Sequence, residues 1–371
     1  MAIAGTNIKL DNSEGMDKIT SIEKVTSPYH SDGTEALLAA SIVSTSLSDT
    51  NENYFFGISN STTATTTEWN VAFGSTNGFG ALVEANTKSE TEAIYKQYAG
   101  LLLAPTEVTG GFIISSPASD SVVSSGKDEE IYIMTARRSN MKDRLNKGTW
   151  TVAFSGSTAA ANGQNRGKVL KLTDDSVDDS PTSTPVGDRY NIVSGTAGTL
   201  HDSAASSSTA KNYGFFYPDM GILVFSAAEL SASLPGFSGS SQETVAFNNV
   251  DHKGFAFART TNANRKTALR LVNCLSEAPA ELTFRDEEDQ VSAQYFCRVK
   301  SGQMNFSNNP TFVSGSLNEL RNKKMKGNPQ TFISSVQLYN SSGEMVAVGN
   351  LSTPLKKSFT SEATIKVKLT Y

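Results

Sequence analysis

Ala363-Thr364-Ile365-Lys366-Val367-Lys368-Leu369-Thr370-Tyr371 alternates apolar and polar residues up to the last residue of the sequence. Successive side chains of a strand point to opposite faces, so Ile365, Val367, Leu369 and Tyr371 share one face and the lysines take the other. The same period recurs upstream. Trp150, Val152 and Phe154 alternate with small polar partners, and Thr331–Tyr339 and Glu344–Gly349 flank Asn340-Ser341-Ser342-Gly343, whose Asn and Gly suit a hairpin loop. Tyr213–Tyr217 and Ile222–Phe225 are two apolar runs meeting at Pro218-Asp219 with Gly221 behind it, which reads as a buried hairpin. Tyr54–Ile58, Gly111–Ile114 and Glu130–Ala136 add further strand-like runs, and another is expected from Phe284 through Met304 and Phe306. The fold class expected is mainly β: multi-domain antiparallel β modules, sandwich-like, with a few short helices and long loops.

Composition agrees. Charged residues are 19% of the chain against a usual ~25%, and Ser, Thr, Asn and Gly fill the difference. Ser and Asn compete for backbone hydrogen bonds inside helices, whereas Thr suits a pleated surface. A length of 371 residues exceeds the roughly 250–300 at which single cores stop growing, so several modules are expected. The divisions read are an extended arm and first strand over 1–60, a β-rich domain with one helix over 61–155, a loop-rich β domain or insertion over 156–282, and a C-terminal β module over 283–371. Ser89 and Glu92 form a capping box for the helix of the second module, which should end near Gly100 to Ala104 ahead of Pro105. Ser316 and Glu319 form a second one, for a brief helix stopped by Gly327. Ala268–Cys274 fits helix or strand equally well.

A net charge of -5 provides no basic field to neutralise phosphates, which argues against nucleic acid as a partner. No stretch approaches the roughly 18–20 apolar residues of a membrane span, and the N-terminus lacks a basic region followed by an apolar one. Membrane insertion and signal-directed export are therefore not expected. Two cysteines, Cys274 and Cys297, fit a reducing compartment and small core-filling roles.

Reactive groups do not converge. His30, His201 and His252 are far apart, and His201-Asp202-Ser203 are sequence neighbours, which cannot readily meet at the angles a catalytic triad needs. No nucleophile elbow, phosphate loop or dinucleotide fingerprint is present. Glu129-Glu130 and Glu287-Glu288 could serve a wall-degrading glycosidase but read more simply as solvated acidic turns. Asp174-Asp175 and Asp178-Asp179 form an acidic loop without the alternating ligands, turn Gly and terminal Glu of a calcium loop. Trp69 and Trp150 lie in strand-like runs and are expected in the core. The reading is non-enzymatic, with no catalytic residue, cofactor or metal.

Two basic clusters are the candidate interaction residues. Arg137, Arg138, Lys142 and Arg144 precede Trp150, and either pair with local acids such as Asp143 and Glu129 or face an acidic partner. Arg321, Lys323, Lys324 and Lys326 sit on the expected second helix.

Several motifs together resemble virion structural proteins of large contractile-tailed phages, especially marine and cyanobacterial ones. They are Asn212–Ile222, Phe306–Phe312, Asn328–Ile333 and the stretch from Leu338 through Phe359 to Leu369, together with Ile131–Ile133 and Lys142–Trp150. The resemblance covers most of the chain after about residue 90, and nothing before residue 60. It implies a late-expressed structural subunit of the tail or baseplate, assembled in the host cytoplasm and joined to other tail subunits or to itself. On this reading the long polar arm before residue 60 reaches a neighbouring subunit; a receptor-binding or fibre-attachment protein, whose loops over 155–210 touch the host surface, is the alternative.

Overall fold

The computed structural model describes residues 8–10, 17–46, 54–61, 66–80, 89–107, 111–114, 127–156, 168–201, 211–235, 254–255, 267–276, 278–315 and 319–371. The chain divides into a barrel unit, residues 25–288, and a terminal unit, residues 1–24 with 289–371. It passes between them within β1 (Lys18–Pro28) and again within β16 (Arg285–Val299).

The barrel unit holds one antiparallel sheet of thirteen strands. In chain order they are β2 (Ala36–Leu38), β3 (Ile42–Ser46), β4 (Phe55–Asn60), β5 (Thr67–Ser75), β6 (Glu130–Ala136), β8 (Thr151–Ser155), β9 (Val169–Asp174), β10 (Thr182–Thr184), β11 (Gly187–Thr196), β12 (Thr199–Leu200), β13 (Gly214–Tyr217), β14 (Ile222–Ser226) and β15 (Glu281–Thr283). The two-residue β7 (Arg144–Leu145) pairs instead with the start of β16. The neighbours run β2-β15-β8-β9-β11-β13-β14-β6-β5-β4-β3, with β10 and β12 on β11. The two ends of this path, β2 and β3, are joined by the single turn Ala39–Ser41, so the sheet curls into a nearly closed barrel.

Alternation places Phe56 and Ile58, Trp69, Val71 and Phe73, Tyr132 and Met134, Leu223 and Phe225, and Val152 and Phe154 in one inner cluster. Helix α3 (Thr267–Leu275) adds Leu271, Val272 and Leu275 to it, touching β4, β5 and β8. Helix α1 (Glu90–Leu102) covers the outside, where Ile94, Tyr95 and Leu102 meet Ile131, Ile133, Phe215 and Val224. Strands β6, β13 and β14 are thus buried on both faces, which is why they read as unbroken apolar runs. A third helix, α2 (Ala227–Ser233), follows β14, capped by Ser226 Oγ accepting from the Glu229 amide at 3.3 Å.

The terminal unit has three separate pieces. The first part of β1 lies beside β16, which pairs along its second half with β21 (Ala363–Thr370) from Ser292↔Thr370 to Val299↔Ala363. A short pair joins β17 (Val313–Ser314) to β18 (Glu319–Leu320). A two-stranded ribbon joins β19 (Thr331–Tyr339) to β20 (Met345–Lys357).

The mainly β, antiparallel expectation holds, and the details differ in instructive places. The main sheet is one curled layer rather than a sandwich. It takes strands from all three stretches read as separate modules before residue 283. Residues 18–46, expected within an extended arm, contain β1, β2 and β3. Their side chains are mostly exposed or half-buried, so they carry no apolar alternation. The stretch after Ser155, expected to be loop-rich, supplies the central strands β9 and β11. Gly111–Ile114 is not a strand; it is an extended segment that buries Phe112 and Ile114 and is pinned by Tyr95 Oη and Asp128. Strand β16 stops at Val299 instead of continuing to Phe306. Ser316 lies outside the described residues, and Glu319 is in β18, not in a helix. The undecided stretch over Ala268–Cys274 is helical.

Candidate interaction surface

The candidate residues of the first basic cluster are held by the barrel unit itself. Lys142 Nζ lies 2.8 Å from Glu288 and Arg144 Nε 2.9 Å from Glu287. Arg137 and Arg138 point guanidinium nitrogens at the carbonyls of Thr67, at 3.4 Å, and Asp143, at 3.1 Å. These contacts span more than 140 residues of sequence for Lys142 and Arg144, fixing the loop before β7 to the start of β16.

The acidic loop is also engaged internally. Both oxygens of Asp174 accept from the Gly148 amide, at 2.9 and 3.0 Å, and Asp175 accepts from the Asn191 amide and side chain at 3.0 and 2.8 Å. Burial pushes both carboxyls above the ordinary carboxylate value, against the opposing pull of those hydrogen bonds. Among the described residues, no three His, Cys, Asp or Glu side chains are grouped to hold a metal ion. His30 is buried, which lowers its pKa, and its Nδ1 faces the Thr34 carbonyl at 3.2 Å. His201 contacts Ser194 and Thr196, and His252 lies outside the described residues. Trp69 and Trp150 are core residues, with Phe284 between them at ring separations of 4.5 and 5.3 Å. Cys274 is buried in the core and Cys297 is half-buried, and neither is in a disulfide.

The described residues of the terminal unit bury little apolar surface. Its buried apolar side chains among the described residues are Ala293, Val299, Val313 and Ala363, none of them large. Several others face outward: Phe332 is 61% exposed, Val346 63%, Val348 58% and Phe359 57%, while Ile333, Val336 and Leu338 of β19 are half-buried. In the ribbon no residue of β19 is buried, and only Lys357 of β20 is. Lys357 Nζ donates to Asn305 Oδ1 and the Ser358 carbonyl, both at 2.8 Å. An isolated two-stranded ribbon is marginal in water, and contiguous exposed apolar surface is a feature of interaction sites.

Beside the ribbon runs a groove of about 1400 Å³ with an apolar wall of Met304, Phe306, Phe312 and Phe332 and polar groups from Lys300, Gln303 and Gln330. Phe306 and Phe312 meet edge to face at 5.5 Å. Met304 is held at φ +50, a left-handed conformation that costs a methionine about 1 kcal/mol or more and is often retained for function. The second candidate cluster borders this region. Arg321 Nε donates to the Pro310 and Val313 carbonyls at 2.5 and 3.3 Å. Lys323, Lys324 and Lys326 stand exposed in and beside the single turn Lys323–Met325.

Sequence reasoning placed the hairpin and the second lysine cluster but not the groove or the open faces of the ribbon. The available signal was the closeness in sequence of Phe306, Phe312 and Phe332 to Asn, Gln and Pro residues. Comparison of the chain with protein-family models, with curated proteins and with solved structures finds no match.

Proposed function

We propose that this chain is a structural subunit of a phage virion, a contractile-tail baseplate component that joins neighbouring subunits. The observation carrying this reading is that the described residues of the terminal unit form no large apolar core. Strands that bury four small or medium apolar side chains, while Phe332, Val346, Val348 and Phe359 face outward, gain their packing from association. Permanent assemblies use such surfaces because an obligate interface resembles a domain core divided between chains. The motifs that resemble tail proteins, Phe306–Phe312 and Asn328–Ile333, contribute the groove wall and the first ribbon strand. No catalytic step belongs to this reading.

A density map of intact particles tests it. The expected result is the chain in the tail baseplate, with β19 and β20 covered by neighbours. Absence of the chain from the particle would sink the proposal. The groove supports a second reading, a receptor-binding or fibre-attachment protein, because aromatic side chains with nearby amides suit a surface ligand. Normal particle assembly with lost host adsorption, on changing Phe306 and Gln330 to Ala, would favour that second reading.

A further inference from the structure

The two units differ in charge. Residues 1–24 and 289–371 hold 13 Lys and Arg against 8 Asp and Glu, whereas residues 25–288 hold 19 against 29. The cations lie beside the open apolar surface: Lys356 is exposed directly opposite Phe332 in the ribbon, and Lys323, Lys324 and Lys326 share one exposed turn. Among the described residues no carboxylate lies within ion-pair distance of these four lysines.

Size limits what can cover this surface. Nine ribbon residues span about 30 Å and two strands with side chains about 10 Å, so one face offers roughly 300 Å², below the ~800 Å² per partner of a stable interface. A stable contact must therefore take the lysine turn as well as the ribbon. Two ribbons meeting with their lysine-bearing ends together would set lysine against lysine, and like charges across an interface are costly. An acidic surface with an apolar centre fits better. The barrel unit offers exposed carboxylates next to an exposed valine: Val177 is 65% exposed and is followed by exposed Asp178 and Asp179, and Asp188 is exposed in the β10–β11 hairpin.

We propose that the ribbon and lysine turn of one copy dock on the acidic edge around Val177 of a second copy, so that the protein associates head to tail. Such a contact is heterologous; it repeats into a ring or an open series rather than stopping at a two-fold dimer. The proposal stands independently of whether the chain belongs to a virion.

Sedimentation of the full chain tests it. The mass should rise beyond twice that of the monomer with concentration, and fall toward the monomer between about 0.1 M and about 1 M salt, as the screening length drops from ~10 to ~3 Å. Lys323→Glu/Lys324→Glu/Lys326→Glu and Asp178→Lys/Asp179→Lys should each abolish association while keeping the wild-type circular dichroism spectrum. Mixing the two should restore it, because each reversed surface then meets a complementary one. A wild-type monomer at all concentrations, a closed dimer indifferent to both charge reversals, or no restoration on mixing would overturn the proposal.

Discussion

Glu287 is only 3% exposed and sits between the Arg144 guanidinium, at 2.9 Å, and the Asn146 amide, at 2.6 Å. Removing one partner of a buried charged pair leaves the others desolvated without compensation, so Glu287→Ala should cost about 3 kcal/mol in denaturant unfolding. Glu288→Ala, whose pair with Lys142 is solvated, should cost under about 1 kcal/mol. Equal effects would mean that the buried arrangement contributes nothing special. Asp174 gives a pH signature of known sign. Burial raises its carboxyl in the folded chain, so its contribution is full below the unfolded carboxylate value, ~3.9, and is lost as pH rises through the folded value. Asp174→Asn retains an oxygen to accept from Gly148 and removes the ionisation, so its stability advantage over wild type should widen from pH 4 to pH 7. A gap that stays constant between those pH values would contradict the assignment. The sequence made these residues conspicuous as charge clusters, but periodicity carries no information about partners 141 or 143 residues away, such as Asn146 and Arg144 for Glu287.

Strands β13 and β14 meet at Gly221, where φ is +66 and an added Cβ would come inside contact distance of Met141 Sδ and Ala136 Cβ. Gly221→Ala should therefore destabilise the barrel unit by about 2 kcal/mol or more, through backbone conformation and overpacking together, as read by thermal unfolding. Phe284 has a comparable place at the barrel seam: its amide donates to the Glu35 carbonyl at 2.8 Å and its ring lies between Trp69 and Trp150. Phe284→Ala should cost about 4 kcal/mol, since neither indole can move far into the space. Legibility followed burial. The doubly buried β6, β13 and β14 announce themselves as apolar runs, and α1 by its capping box, with Ser89 Oγ accepting from the Glu92 amide at 3.4 Å. Strands β1, β9 and β11 do not, because Ser, Thr, Asp and Asn occupy positions facing solvent or other strands. The ribbon shows a different limit. Alternation in Thr331–Tyr339 implies one buried face, yet its apolar residues are half-buried or exposed in the single chain. On the proposed reading, a neighbouring subunit supplies the burial that this alternation implies.

At the scale of the molecule, stability should be unevenly shared. The barrel unit encloses two large apolar clusters under a sheet whose ends are covalently joined, whereas the terminal unit buries Ala293, Val299, Val313 and Ala363. Each buried valine contributes only about 1.5–3 kcal/mol and each alanine less, while backbone ordering costs about 1–2 kcal/mol per residue, so these four among the described residues do not offset the ordering of β19, β20 and β21. Residues 25–288 expressed by themselves should accordingly unfold in one cooperative transition and retain the near-ultraviolet circular dichroism of the Trp69–Phe284–Trp150 group. In the full chain at high dilution, amides of β19 and β20 should exchange with deuterium within seconds to minutes while those of β6 and β14 stay protected, because local opening needs little free energy where few contacts are broken. Raising the concentration should slow exchange in the ribbon first. Ribbon amides as protected as β14 in the dilute monomer would show that the terminal unit is stable without a partner, and would remove the reason for assigning it an assembly role.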